Sequence, residues 1–330
     1  MGKLQRYFTY PALLLVPAIY WLFSGSGLAQ DPKVHVGASP VPRADSASPV
    51  TNIRVNADLV LIPVMVTDKK DRLITGLERT NFRLFEDKIE QSITHFAAED
   101  VPVSIGVVFD SSGSMGPKLG KARAAVMEFL RTANPEDEFM LIQFNDRAEM
   151  LSGFTTRTEE FQNRLMFVES RGRTALLDAI YLAMNEMRKA KYQRKAILVL
   201  SDGGDNSSRY TLREVKNRVR EADVQIYSIG ILEPLTGRGR TMEEMDGPAL
   251  LNDIADESGG RLFEVDNLNI LPDVASKIGT ALRNQYILGY APPDGRRDGK
   301  YHKIQVKIAR PAGVPPLRAS FRAGYTAPSN

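Results

Sequence analysis

The stretch Ser104-Ile105-Gly106-Val107-Val108-Phe109-Asp110-Ser111-Ser112-Gly113-Ser114 decides the fold. Val103 to Phe109 is a short, almost unbroken apolar run, rich in β-branched residues, that stops abruptly at an acid and a group of serines. A strand covered on both faces reads this way, because neither face can carry a polar residue. The same pattern returns at Phe139 to Phe144, Ala196 to Leu200 and Val224 to Ile231. Between the runs, Leu119, Ala122, Val126, Phe129 and Leu130 repeat at helical spacing, as do Leu177, Ile180, Met184 and Met187, and these stripes are core-packing faces. Strands alternating with amphipathic helices over residues 101–284 predict a doubly wound, mostly parallel α/β sheet.

In such sheets ligands bind beyond the carboxyl ends of the strands, where strand order reverses. Asp110-Ser111-Ser112-Gly113-Ser114-Met115 follows the first strand, Ser201-Asp202-Gly203-Gly204-Asp205 follows a later one, and Arg171-Gly172-Arg173-Thr174 opens a helix between them. In an extended turn alternate side chains share a side, so Asp110, Ser112 and Ser114 can converge. Two carboxylates and three hydroxyls, with no imidazole or thiolate, form a hard oxygen set suited to Mg, Mn or Ca. Taken singly, each residue has a plainer reading: Asp110 and Thr174 as helix caps, the serines as turn formers.

Asp110-x-Ser112-x-Ser114, then Thr174, then Asp202-Gly203 resembles the metal-ion-dependent adhesion site of von Willebrand factor type A domains, with all five positions filled in order. The flanks resemble bacterial exported proteins with a domain of this kind, at Val66-Thr67-Asp68, Gly76-Leu77, Phe82, Glu86-Asp87 and Gly324-Tyr325; Lys88 departs from that pattern, standing where the related flank has Gly. The resemblance implies a Rossmann-like domain in which Ser112, Ser114 and Thr174 hold Mg (Mn being possible) through hydroxyls and Asp110 and Asp202 mostly through water. One coordination place is left for an Asp or Glu of a protein partner. Met115, Arg171, Arg173 and Asp205 are expected on the rim around it.

Outside the α/β segment the pattern is an alternation of two. Ile53, Val55, Ala57, Leu59 and Leu61 are expected to face inward on a first strand, with Pro63 suited to an edge or a bulge. Phe82-Arg83-Leu84 and Ile89 to Ile93 read as strands about a Glu86-Asp87-Lys88 turn; Ile304, Val306 and Ile308, and Leu317, Ala319 and Phe321, alternate with polar residues. Pro292-Pro293-Asp294-Gly295 and Pro311-Ala312-Gly313 are expected turns. Each flank is near the lower size limit for an independent core. Residues 53–100 and 285–326 are therefore expected to form one β-sandwich into which the 101–284 domain is inserted, with 327–330 as a tail.

Residues 1–29 have the layout of a secretory signal: Lys3 and Arg6, an apolar stretch from Tyr7 to Phe23, and small residues at Gly27 and Ala29. Cleavage after Ala29 predicts an exported protein, periplasmic or extracellular; an inner-membrane anchor formed by residues 7–23 is the alternative. Residues 30–52, with Pro32, Pro40, Pro42 and Pro49, read as a flexible tether. There is no cysteine among the 330 residues, which excludes disulfides, thiol nucleophiles and Cys-based zinc sites. The 43 Lys and Arg nearly balance the 40 Asp and Glu, so no basic footprint points to nucleic acid.

Enzyme readings fare poorly. His35, His95 and His302 lie outside the α/β segment, leaving no imidazole for a Ser-His-Asp arrangement. Gly116 to Ala122 is one residue short of a phosphate loop and ends in Ala where Ser or Thr is needed. The expectation is a non-enzymatic binding module of the envelope, with no small-molecule cofactor, presenting Mg to an acidic partner. A metal-dependent phosphohydrolase on the same fold and a structural envelope subunit with a stabilising metal are the alternatives.

Overall fold

The computed structural model describes residues 59–98, 100–232, 242–292, 297–310, 313 and 315–329. The expected signal, the tether and the start of the first strand lie outside the described residues, as do most of the 292–295 and 311–313 turns. The elements run β1 (Val60–Asp68), β2 (Phe82–Glu86), β3 (Ile89–Gln91), β4 (His95–Ala97), β5 (Ser104–Asp110), α1 (Leu119–Arg131), β6 (Glu138–Phe144), β7 (Ala148–Thr155), α2 (Thr158–Met166) and α3 (Leu176–Glu186). They continue with β8 (Lys195–Ser201), α4 (Leu212–Glu221), β9 (Gln225–Ile231), α5 (Met242–Ser258), β10 (Arg261–Val265), α6 (Leu271–Arg283), β11 (Tyr286–Tyr290), β12 (Tyr301–Ile308), β13 (Leu317–Ser320) and β14 (Gly324–Thr326).

The central sheet has six strands in the order β10-β9-β8-β5-β6-β7, parallel except for β7. All seven residues of β5 are buried, as are those of β9, which is the reason these strands carry continuous Val and Ile rather than alternation. One face packs Ile105, Val107 and Phe109 against α1, α2 and α6; the other packs Val108 and Val199 against α3, α4 and α5. Each fully buried aliphatic side chain contributes about 1.5–3 kcal/mol relative to exposure. Strand order reverses at β5, which lies between β8 and β6. The crevice of a doubly wound sheet therefore opens above β5 and β8.

The flanks form two antiparallel four-stranded sheets, β13-β1-β11-β4 and β14-β12-β2-β3, each mixing strands from before and after the α/β domain. Their shared core contains Ile62, Val64, Phe82, Leu84, Tyr286, Leu288, Ile304 and Val306. The α/β domain is thus inserted in a sandwich that neither flank can make alone. Pro63 lies where β1 has only β11 beside it, since β13 joins from Met65 onward, so its missing N–H costs little.

The phase of β1 is the reverse of the one expected. Val60, Ile62, Val64 and Val66 enter the sandwich core, whereas Leu61 is half-buried and Leu59 exposed. The other face of the strand meets the α/β domain, where Met65 joins the core. With apolar residues on both faces, alternation around Leu59 and Leu61 could not identify the inner one.

Candidate functional site

Asp110 ends β5 and Asp202 follows β8, its immediate neighbour in the sheet, where Phe109 pairs with Leu200. Both acids are buried, at 0% and 3% exposure. Asp110 is held from two sides: its Oδ1 accepts from the Ser112 backbone N–H at 2.8 Å and its Oδ2 from the Ser201 hydroxyl at 2.5 Å. Burial, with the negative charge of Asp202 close by, pushes the Asp110 carboxyl up to about 7. Two carboxylates here crowd each other.

After Asp110 the chain turns through a 3-10 segment, Gly113–Lys118, into α1. Ser112 Oγ and Ser114 Oγ are 3.1 Å apart, so these two expected ligands meet. The loop carrying Thr174 is fastened to this turn: Gly113 N donates to Gly172 O at 3.0 Å, Arg171 N to Ser111 O at 2.9 Å, and Ser170 Oγ to Ser112 O at 2.5 Å. Thr174 is buried and tied through its backbone alone, its N–H donating to Asn206 Oδ1 at 3.0 Å and its carbonyl accepting from the N–H groups of Asn206 and Ser207. Gly203 has φ +90°, and a Cβ there would meet the Gly247 backbone at 2.6 Å. Only glycine lets the loop after Asp202 pass so close to α5.

Lys118, at the end of the 3-10 turn, places Nζ 3.0 Å from Asp202 Oδ2, with both side chains almost fully buried. Asp202 Oδ1 is buried and has no hydrogen-bond partner. A buried, unsatisfied carboxylate oxygen is costly and calls for a proton or a cation. Among the described residues no three Asp, Glu or His side chains gather as a metal cluster. The two buried carboxylates with the neighbouring Ser112 and Ser114 hydroxyls are hard oxygen donors of the kind a divalent Mg or Mn ion takes.

One rim assignment needs correction. Met115 is fully buried and belongs to the core shared by β5 and α1; the tight 3-10 turn sends its long apolar side chain inward. Asp205 is half-buried, with Oδ1 accepting from Leu177 N at 3.3 Å and Ser208 Oγ at 2.6 Å. That carboxylate fastens the start of α3, and burial raises its pKa. Arg171 and Arg173 are exposed, as expected, and the Arg173 guanidinium donates to the Asn206 carbonyl. Lys118 and Ser201 were not among the expected site residues. Lys118 had a legible signal, since it shares the helical stripe of Met115, Leu119 and Ala122, where a charge is out of place.

Residues 105–204 match the family model for the von Willebrand factor type A domain, and this part of the chain is such a domain. The chain is 31% identical over 153 residues to inter alpha-trypsin inhibitor heavy chain 4 of Mus musculus, covering 42% of this chain and 16% of that protein. It is 26% identical over 184 residues to an uncharacterized protein of Borreliella burgdorferi, covering 49% of this chain and 54% of that one. Both curated relatives thus extend well beyond the matched part. Among solved structures, a von Willebrand factor type A protein from Catenulispora acidiphila is similar with a TM-score of 0.48 and 13% identity, over 79% of this chain and 74% of that one.

Proposed function

We propose that the chain is a non-enzymatic, exported protein-binding module in which Asp110, Ser112, Ser114, Thr174 and Asp202 hold one Mg or Mn ion for an acidic residue of a partner protein. The observation that carries this reading is the pair of buried carboxylates at the ends of neighbouring strands, one with an orphaned oxygen, beside hydroxyls on loops fastened to each other. When bound, the ion supplies a positive charge and an open coordination place for a carboxylate. The protein's own groups do the rest. Ser201 and the Ser112 N–H fix the Asp110 carboxylate, Asn206 fixes the Thr174 backbone, and Arg171 and Arg173 stand exposed beside the ligand loop to meet an anion.

No histidine among the described residues joins the strand-end acids to make a Ser-His-Asp arrangement. Among the described residues the histidines, His95 and His302, lie in β4 and β12 of the sandwich, away from the strand-end acids. Among the described residues no helix is long and apolar enough to cross a membrane; export rests on residues 1–29, which lie outside that set.

Among the described residues the most exposed large apolar side chains are Phe167 (83%), Met242 (76%) and Met245 (64%). Phe167 follows the end of α2, three residues before Ser170, while Met245 lies two residues before the Gly247 that packs on Gly203. Capture of partners from an envelope extract tests the reading. Binding should need Mg, disappear with chelator and with Thr174→Ala, and weaken with Arg173→Ala. Capture at full strength in chelator would favour a structural subunit instead.

A further inference from the structure

Lys118 brings its amino group into the interior of the candidate site. Its Nζ is 3.0 Å from Asp202 Oδ2, its side chain is 6% exposed and that of Asp202 4%. The 3-10 turn that carries Ser114 also carries Lys118. A surface ion pair of this kind would mean little, but here solvent is excluded and the charges act at close range. With both carboxylates ionised, the state in which they can hold a cation, Asp110 and Asp202 stand against Lys118 and leave one net negative charge. Adding a divalent ion makes the total one net positive charge, whereas without the lysine the loaded site would be neutral.

We propose that Lys118 is a resident counter-ion that sets this balance, so that the site holds its divalent ion weakly alone and firmly only together with an anionic ligand. The inference rests on the metal-site reading above and concerns how the site is regulated. By repelling the ion, the lysine lowers affinity for the metal. By leaving the loaded site positive, it makes a partner carboxylate the group that restores neutrality. Metal and partner then assist each other by equal factors, as linkage requires. Lys118 acts through Asp202 and through the field at the site; it is a positioning residue. The same contact gives one oxygen of Asp202 a partner, while the other has none.

The experiment is Mn titration calorimetry on the full chain, in sodium acetate and in sodium chloride at equal ionic strength, with acetate as the probe carboxylate. The native chain should bind Mn several-fold more tightly in acetate; equal affinity in both salts would overturn the proposal. Lys118→Met and Lys118→Gln should each bind Mn at least about tenfold more tightly in chloride and gain less from acetate. Gln keeps a donor for Asp202 and serves if the Met variant does not fold. Lys118→Arg, which keeps the charge, should stay near the native affinity. A folded neutral variant that binds Mn no better than the native chain would contradict the charge argument, since the lysine would then matter only for holding Asp202. Loss of the metal reading itself looks different: Asp110→Ala would bind Mn as the native chain does, or no variant would bind it.

Discussion

The hydroxyl of Ser201 donates to Asp110 Oδ2 at 2.5 Å, so the last residue of one strand fixes the carboxylate that ends its neighbour. Ser201 is fully buried and also accepts from the Gly203 N–H at 3.0 Å. It orients one acid and shapes the loop after the other. Ser201→Ala should leave the fold intact and weaken divalent binding about tenfold, the usual cost of losing a group that orients a ligand. Mn affinity measured beside the unfolding midpoint checks this; unchanged affinity would mean that Asp110 needs no such support.

Met115 belongs to the core. Met115→Ala should therefore lower stability by about 3 kcal/mol, while the fraction that remains folded captures partner as well as the native chain does. Urea unfolding and capture per folded molecule separate the two effects. A variant of native stability with lost capture would put Met115 back on the rim.

Asp87 and Lys88 both have positive φ, +48° and +72°, at the turn between β2 and β3. Two such residues in a short hairpin turn favour Asp-Gly, and a lysine in the left-handed region is strained by about 1–2 kcal/mol. The departure noticed in the sequence at Lys88 thus has a physical cost. Lys88→Gly should raise stability by about 0.5 kcal/mol after the added freedom of the unfolded glycine is counted. A lower unfolding midpoint in that variant would refute the strain.

His302 ties the same turn to the loop before β12, with Nδ1 2.8 Å from Asp87 Oδ2 and Nε2 3.2 Å from Asp298 Oδ1; Glu86 lies 3.8 Å from Nδ1 and is itself bonded to the Tyr325 hydroxyl. Burial disfavours the charged ring, but the hydrogen bonds to Asp87 and Asp298 outweigh it and hold the His302 pKa above its ordinary value. The stabilisation is fully present below the ordinary histidine value, about 6.5, and is lost as pH rises through the raised folded value. Urea midpoints at about pH 5.5 and about pH 9 should show a loss that His302→Gln abolishes. An identical loss in the variant would assign the pH dependence to other groups.

The parallel strands and their acids were legible because β5, β8 and β9 are buried on both faces, which forces unbroken apolar runs that end where the crevice opens. The rest was hidden for definite reasons. β7 is an edge strand whose Glu149 and Met150 are exposed, so it carries no apolar run. The face of β1 could not be chosen because both sides are covered. Met115 was misplaced because adjacency to ligands in sequence says nothing about the direction a 3-10 turn sends a side chain. Lys118 interrupts an apolar stripe in the sequence, which marks it as unusual, but only the fold puts it against Asp202.

Mn titration calorimetry on the full chain and on Asp110→Ala tests the central claim most directly. One ion should bind the native chain, and binding should be lost in the variant although its far-UV spectrum and unfolding midpoint remain those of a folded protein. Equal Mn affinity in the two proteins would contradict the account, because the carboxylate at the end of β5 would then not hold the ion.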